Sequence, residues 1–296
     1  MNPARANAQR RLALGLAASL AAGCTLITDS DHNHSDAPSS RPLPKVPRTA
    51  WVFSSGGPRG FAHVGVLKAL DELGCKPDLI VGASVGALVA VLSGGGMPVR
   101  QIESLALELQ PWQLARLALT GNERLSGAAV ADFVRSHCAE PLLERLRVPV
   151  VCAAKRLSDN TVVGFNCGDV GLAVQAAAAI EGQFVPVRIR GQRHVDADLL
   201  MPLPVRLARG AGATRVLAVD ASAHEDKAPA GSDRYRASDQ LKRRLTQPDA
   251  ALADVLLHPE FGYWVRPTRE YREQAIEAGY RAALAAAPAL RALHAA

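Results

Sequence analysis

The sequence predicts an α/β protein with a largely parallel sheet covered by helices. Three observations carry this expectation. Hydrophobic residues fill 48% of the 296 positions and aromatic ones only 4%, so a core of Ala, Leu and Val is available to one large domain or two small ones. From residue 50 onward, short apolar runs alternate with stretches whose apolar residues recur at helical spacing. Two of these alternations follow one another directly, each joined by a glycine-rich turn, as in consecutive strand-turn-helix units of a parallel sheet.

The first unit begins with a buried strand over Ala50 to Ser54. The stretch SSGGPRGFAHVGVLKAL, residues 54–70, then turns into a helix on which Val64, Leu67, Leu70 and Leu73 share a face while Lys68, Asp71 and Glu72 meet water. The second unit reads as a strand over Pro77 to Val81, a turn Gly82-Ala83-Ser84-Val85-Gly86, and a helix over Ala87 to Leu92 closed by glycines 94 to 96. Further on, Val148 to Ala154 and Thr161 to Asn166 read as strands around a turn near Asp159-Asn160. Pairing about that turn sets Cys152 opposite Cys167 within disulfide reach, with two buried thiols as the alternative. Residues 223–250, rich in charge and small polar residues, predict a mobile surface loop or a lid. Tyr271 to Leu293 reads as an alanine-rich helix, or a pair of helices, packed on the sheet.

The second turn carries chemistry. GxSxG between a strand and a helix is the pattern of a nucleophile elbow, in which small residues let strand and helix approach and the turn holds the serine hydroxyl out at the head of the helix. Ser84 is therefore the candidate nucleophile; the plain alternative is a tight turn with an ordinary serine. Attack by a serine leaves negative charge on the acyl oxygen, which calls for backbone N–H donors. Gly56 and Gly57 offer such amides in the first turn, and Arg59 either adds a positive charge or holds that loop in shape. The same loop fits neither GxGxxG nor GxxxxGK, which sets nucleotide binding aside. His224 and His258 stand in the chain order of a Ser, acid, His triad, although both sit beside polar or proline-bearing loops. His32 and His34 read as solvated or weakly metal-binding. No histidine and carboxylate grouping has metal-ligand spacing, so neither a metal nor another cofactor is expected.

Taken together, these stretches resemble the bacterial patatin-like phospholipases. Ser55-Gly56-Gly57-Pro58-Arg59-Gly60 is similar to that family's glycine-rich oxyanion motif, His63 to Leu67 to its following helix, and Gly82 to Gly86 to its elbow. Ala179 to Pro186 and Asp196 to Val205 are similar to two further family segments, so the likeness runs from about residue 50 to about residue 222. The resemblance implies a three-layer α/β/α domain that hydrolyses acyl esters of lipids with a Ser-Asp dyad and no catalytic histidine. It assigns Ser84 as nucleophile, Asp196 as the base that takes its proton, and Gly56, Gly57 and Arg59 to the oxyanion side. Asp198 is not expected to be the base; a second carboxylate close to Asp196 raises the pKa of one of the two. The sequence departs from the family pattern at Ser55, Glu181, Gln183, Ala197 and Asp198, the last two standing where the family has glycines. A positive φ at residue 197 or 198 would strain the turn. Two readings stay open: an active lipid acyl hydrolase, and a catalytically weak relative that binds a lipid or a partner.

The N-terminus reads as an export signal over residues 1–23. Arg5, Arg10 and Arg11 form its basic start, and Leu12 to Ala22 is an apolar run too short to span a bilayer. Leu20-Ala21-Ala22-Gly23-Cys24 resembles the lipobox of bacterial lipoproteins, which implies a lipid on Cys24 and, with Thr25 next, the outer membrane of the cell envelope on its periplasmic side. Residues 24–48 then form a polar tether, and residues 49–296 the hydrolase domain. Three charges of the formal +6 belong to the signal, leaving +3. The basic residues are scattered and not gathered beside stacking aromatics, so nothing points to nucleic acid; the expected partner is a membrane lipid.

Overall fold

Every residue of Thr49–Phe53, the first strand (β1), is buried. A strand covered on both faces needs no polar alternation. The computed structural model describes residues 30–110, 113–118 and 123–295. After β1 the chain forms α1 (Phe61–Glu72), β2 (Leu79–Ala83), α2 (Val85–Gly94) and α3 (Val99–Glu108). A two-stranded ribbon of β3 (Arg116–Leu117) and β4 (Leu125–Ser126) leads into α4 (Ala128–His137). Next come β5 (Val150–Arg156), β6 (Thr161–Phe165), α5 (Val170–Ala177), β7 (Val187–Ile189), β8 (Gln192–Asp196), α6 (Val205–Gly210) and β9 (Arg215–Val219). The C-terminal part adds α7 (Arg236–Ala250), β10 (Val255–Leu257), α8 (Arg269–Ala285) and α9 (Ala287–His294).

The main sheet runs in the order β10, β9, β1, β2, β5, β8, β7, with β6 also on β5. Its first five strands are mutually parallel; β6, β8 and β7 pair antiparallel. Alternate side chains divide the core. Trp51, Phe53, Ile80, Leu217 and Val219 face one layer, built from α1, α2, α4, α5 and α8. Ala50, Val52, Leu79, Val81, Val216 and Ala218 face the other, where Leu203, Val205 and Ala208 around α6 close the core with Ala250 of α7. The result is the expected three-layer α/β/α architecture with a mostly parallel sheet. Burial of a side chain such as Phe53, fully enclosed here, stabilises by about 1.5–3 kcal/mol relative to exposure.

Several expectations are corrected. Cys152 lies opposite Phe165, not Cys167, because residues 157–160 form a four-residue connection that moves the pairing by two positions. Cys167 instead exchanges backbone hydrogen bonds with Ser39, and Cys75, Cys138, Cys152 and Cys167 are all free. Residues 223–250 are not a surface loop throughout, since Arg236–Ala250 is a helix. The segment expected as tether is laid against the domain over residues 31–41: His32 bridges Ile189, Ser39 bridges Cys167, and Ala37 is buried. The backbone N–H of His32 donates to the Arg188 carbonyl at 2.9 Å, so this stretch is held by the exposed edge of β7. The expected signal over residues 1–23 and the candidate lipidation site Cys24 lie outside the described residues.

Candidate active site

Ser84 is the single residue between β2 and α2, and α2 starts two positions earlier than its apolar spacing suggested. Its φ is 52° and its ψ −125°, a conformation that side chains with a Cβ rarely adopt and that costs on the order of 1–3 kcal/mol. The surroundings enforce it. A Cβ on Gly86 would stand 2.3 Å from the Phe53 carbonyl oxygen, so only glycine lets α2 sit this close to the end of β1. The Ser84 N–H donates to the Ala177 carbonyl at 3.2 Å.

Asp196 ends β8, and sheet register brings it to Ser84. Ala83 pairs with Ala153 in parallel, and Ala154 pairs with Asp196 across the antiparallel junction. The residue after Ala83 and the residue opposite Ala154 therefore sit at one level on either side of β5. The Ser84 hydroxyl lies within hydrogen-bonding reach of the Asp196 carboxyl. One short segment steadies both, because the Asp196 N–H donates to the Ala179 carbonyl at 2.8 Å, two residues beyond the carbonyl that holds Ser84. Asp196 is 3% exposed. Burial pushes its carboxyl up to about 7, against the Ser84 hydroxyl and the Lys242 charge, which both pull it down. Ala197 and Asp198 enter a 3-10 turn without positive φ, so the two missing glycines cause no strain, and the Asp198 N–H caps the Asp196 carboxylate at 2.9 Å.

The glycine loop closes the third side. Gly56 and Gly57 have φ values of 156° and 53°, and their N–H groups donate to no described residue. The loop is pinned from three directions: the Ser55 N–H donates to the Pro202 carbonyl at 2.8 Å, the Ala221 N–H to Ser54 Oγ at 2.9 Å, and His63 Nε2–H to the Ser54 carbonyl at 2.9 Å. Burial pulls His63 down to about 4, which keeps it a neutral donor. Arg59 serves loop shape. Its Nε donates to the Ala221 carbonyl and one Nη to the Gly262 carbonyl, both at 2.9 Å, and its guanidinium stacks 4.2 Å from the Phe261 ring centre.

The patatin-like phospholipase family matches residues 51–209, more than half of the chain, including Ser84, Asp196 and the glycine loop. The chain belongs to that family. It is 30% identical over 212 residues to an NTE family protein of Mycobacterium bovis, covering 71% of this chain and 58% of that one. It therefore spans little more than half the length of that relative. It is 29% identical over 192 residues to the lysophospholipase NTE1 of Coccidioides immitis, covering 61% of this chain and 12% of that protein. VipD from Legionella pneumophila aligns at TM-score 0.48 and 14% identity over 92% of this chain and 73% of its own.

In this patatin-like domain, Ser84 and Asp196 open into a cavity of about 310 Å3. Gly56, Gly57, Asp198, Leu199 and Ile180 line it from one side, and Ser238, Leu241, Lys242 and Leu245 of α7 from the other. No histidine lines it. His224 and His258 stack on each other with ring centres 3.7 Å apart in a larger cleft of about 720 Å3 that holds neither serine nor aspartate. Among the described residues no group of three or more His, Cys, Asp or Glu is arranged to hold a metal ion. Glu181, where the family has proline, ion-pairs with the buried Lys155. Sequence reasoning reached α7 only through the lid alternative for residues 223–250 and named none of its lining residues. Its signal was faint: Leu241 and Leu245 stand four apart in a segment otherwise full of charge, with Ser238 and Lys242 spaced to share that face.

Proposed function

We propose that the protein is a lipid acyl hydrolase in which Ser84 attacks the ester carbonyl and Asp196 takes its proton. The observation that carries this reading is the meeting of a strained serine elbow with a buried carboxyl across β5, beside two unpartnered glycine amides. As Ser84 Oγ bonds to the acyl carbon, Asp196 accepts the hydroxyl proton and the amides of Gly56 and Gly57 receive the developing oxyanion. The tetrahedral adduct then expels the alcohol, which takes the proton from Asp196, and leaves an acyl-serine. Water deprotonated by Asp196 attacks that ester, and as the adduct releases the fatty acid the Ser84 oxygen takes the proton back from Asp196. A carboxyl raised to about 7 suits a base at neutral pH, close to the pKa that favours both the ionised form and proton uptake.

An apolar rim supports a lipid substrate, since Ile180, Leu199 and Leu241 are exposed at the cavity mouth. The curated relative named as a lysophospholipase makes a single-chain lysophospholipid the first natural substrate to test. The proposal includes anchoring through a lipid on Cys24 at the periplasmic side of the envelope. The experiment is hydrolysis of a short-chain nitrophenyl ester and of a lysophospholipid by the wild type, Ser84→Ala and Asp196→Asn. Both variants should lose activity by roughly 10³-fold or more, since members of one catalytic unit fail together. Equal rates in wild type and Ser84→Ala would mean a lipid-binding relative without this chemistry.

A further inference from the structure

Two side chains that replace family glycines, Ser55 and Asp198, meet at one point, and a third joins them from outside the matched stretch. The Lys242 ammonium on α7 donates to Ser55 Oγ at 3.0 Å and ion-pairs with Asp198, while the Ser55 hydroxyl donates to the same carboxylate. Each partner is fixed by backbone. Ser55 is 2% exposed and immediately precedes the two oxyanion glycines, and the Asp198 N–H caps the Asp196 carboxylate. The three-way contact therefore spans the gap between the loop that carries the N–H donors and the turn that carries the base.

We propose that Lys242 is a positioning residue of the hydrolase, whose ammonium ties the oxyanion loop to the base-bearing turn. This rests on the reading of Ser84 and Asp196 given above. The charged groups in the cavity decide which cation acts on the base. Asp196 and Asp198 face Lys242 from the β8 turn, Asp239 from its own helix and Arg59 from the oxyanion side. Asp239 accepts the Tyr263 hydroxyl at 2.5 Å, and Arg59 is spent on backbone carbonyls. Lys242 is left as the cation whose field acts on the Asp196 carboxylate. Its side chain is 23% exposed, so water screens that field only in part. Donors and base must hold their separation to within about 0.5 Å for the transition state to be met. A loop with serine in place of glycine supplies a hydroxyl through which the lysine can enforce it.

The test uses the full-length protein in detergent solution and a soluble short-chain ester, with kcat and KM followed across pH. Lys242→Met and Lys242→Gln remove the charge. Both should lower kcat by roughly tenfold or more with KM within about twofold. Both should also move the acid limb of the profile to higher pH, because the Asp196 carboxylate has lost its cation. Lys242→Arg should keep the acid limb in place. Circular dichroism confirms folding of each variant, and two neutral replacements guard against failure of one. An acid limb unchanged in the neutral variants overturns the inference whether or not kcat falls, since a merely structural tie would not carry a charge effect. Ser84→Ala run alongside separates the two levels: activity in that variant overturns the underlying reading, while its loss together with wild-type behaviour of the Lys242 variants overturns this inference alone.

Discussion

Ser84 carries a conformational cost along with its chemistry. At φ 52° it stands where glycine is at ease, so Ser84→Gly should abolish hydrolysis and raise unfolding free energy by about 1 kcal/mol, read from urea denaturation. Asp196 has a comparable conflict. Its carboxyl titrates near 7 in the folded chain and near 3.9 in an unfolded one. Between those values the folded state holds the extra proton, so stability falls as pH rises through that window. Activity runs the opposite way, because the base must be ionised, and kcat/KM should rise through pH 7. Asp196→Asn removes the titration; its thermal midpoint at pH 8 should exceed that of the wild type by at least about 2 °C, with the gap closing toward pH 4. A wild type whose midpoint does not fall relative to Asp196→Asn between pH 5 and 8 would place the Asp196 pKa elsewhere. The placing of Ser84 beside Gly56 and Gly57 was legible in the sequence because a strand-turn-helix elbow and a glycine-rich loop demand particular residue types at fixed spacing, whereas Asp196 was reached only through the family resemblance. Lys242 was not legible, since nothing in a single chain says which of many lysines the fold brings to a point 187 residues away from Ser55.

At the scale of elements, the two strand-turn-helix units were legible to within two residues, and the alanine-rich C-terminus resolved into α8 and α9. The alanines and glycines of α8 have a purpose that composition alone does not reveal. A Cβ on Gly65 of α1 would lie 1.8 Å from the Ile276 carbonyl oxygen of α8, an obstacle of backbone that cannot rotate away. Gly65→Ala should force the helices apart and destabilise by about 1–3 kcal/mol or more, measured as a lower midpoint in urea with the slope unchanged. Two element readings failed for physical reasons. The β5-β6 register depended on a connection length that Asp159 and Asn160 alone do not specify, with Asn160 taking φ 56° inside a four-residue loop. Helix α7 contains Pro248 and few apolar residues, so its local pattern argued against a helix, and tertiary contact with the cavity and with α6 decides its structure.

For the whole molecule, the segment over residues 31–41 shortens the part of the N-terminal chain that could act as a free tether, because it is already docked at β7 and at Cys167. If Cys24 bears the proposed anchor, only a few residues separate lipid from domain. Cys24→Ala should move the protein from the membrane to the soluble periplasmic fraction; retention on the membrane would place the anchor elsewhere. The fixing of Arg59 bears on how the enzyme comes into being. The residues proposed to react, Ser84 and Asp196, and the glycine amides all precede residue 197, yet Arg59 is held by carbonyls of Ala221 and Gly262, and β1 gains its second neighbour only when β9 is made. A chain emerging from its N-terminus thus exposes every reacting group while the loop that must receive the oxyanion still lacks its supports. On the proposed function, competence arrives with the last third of the polypeptide, and an unfinished or truncated chain is expected to be inert toward a lipid ester.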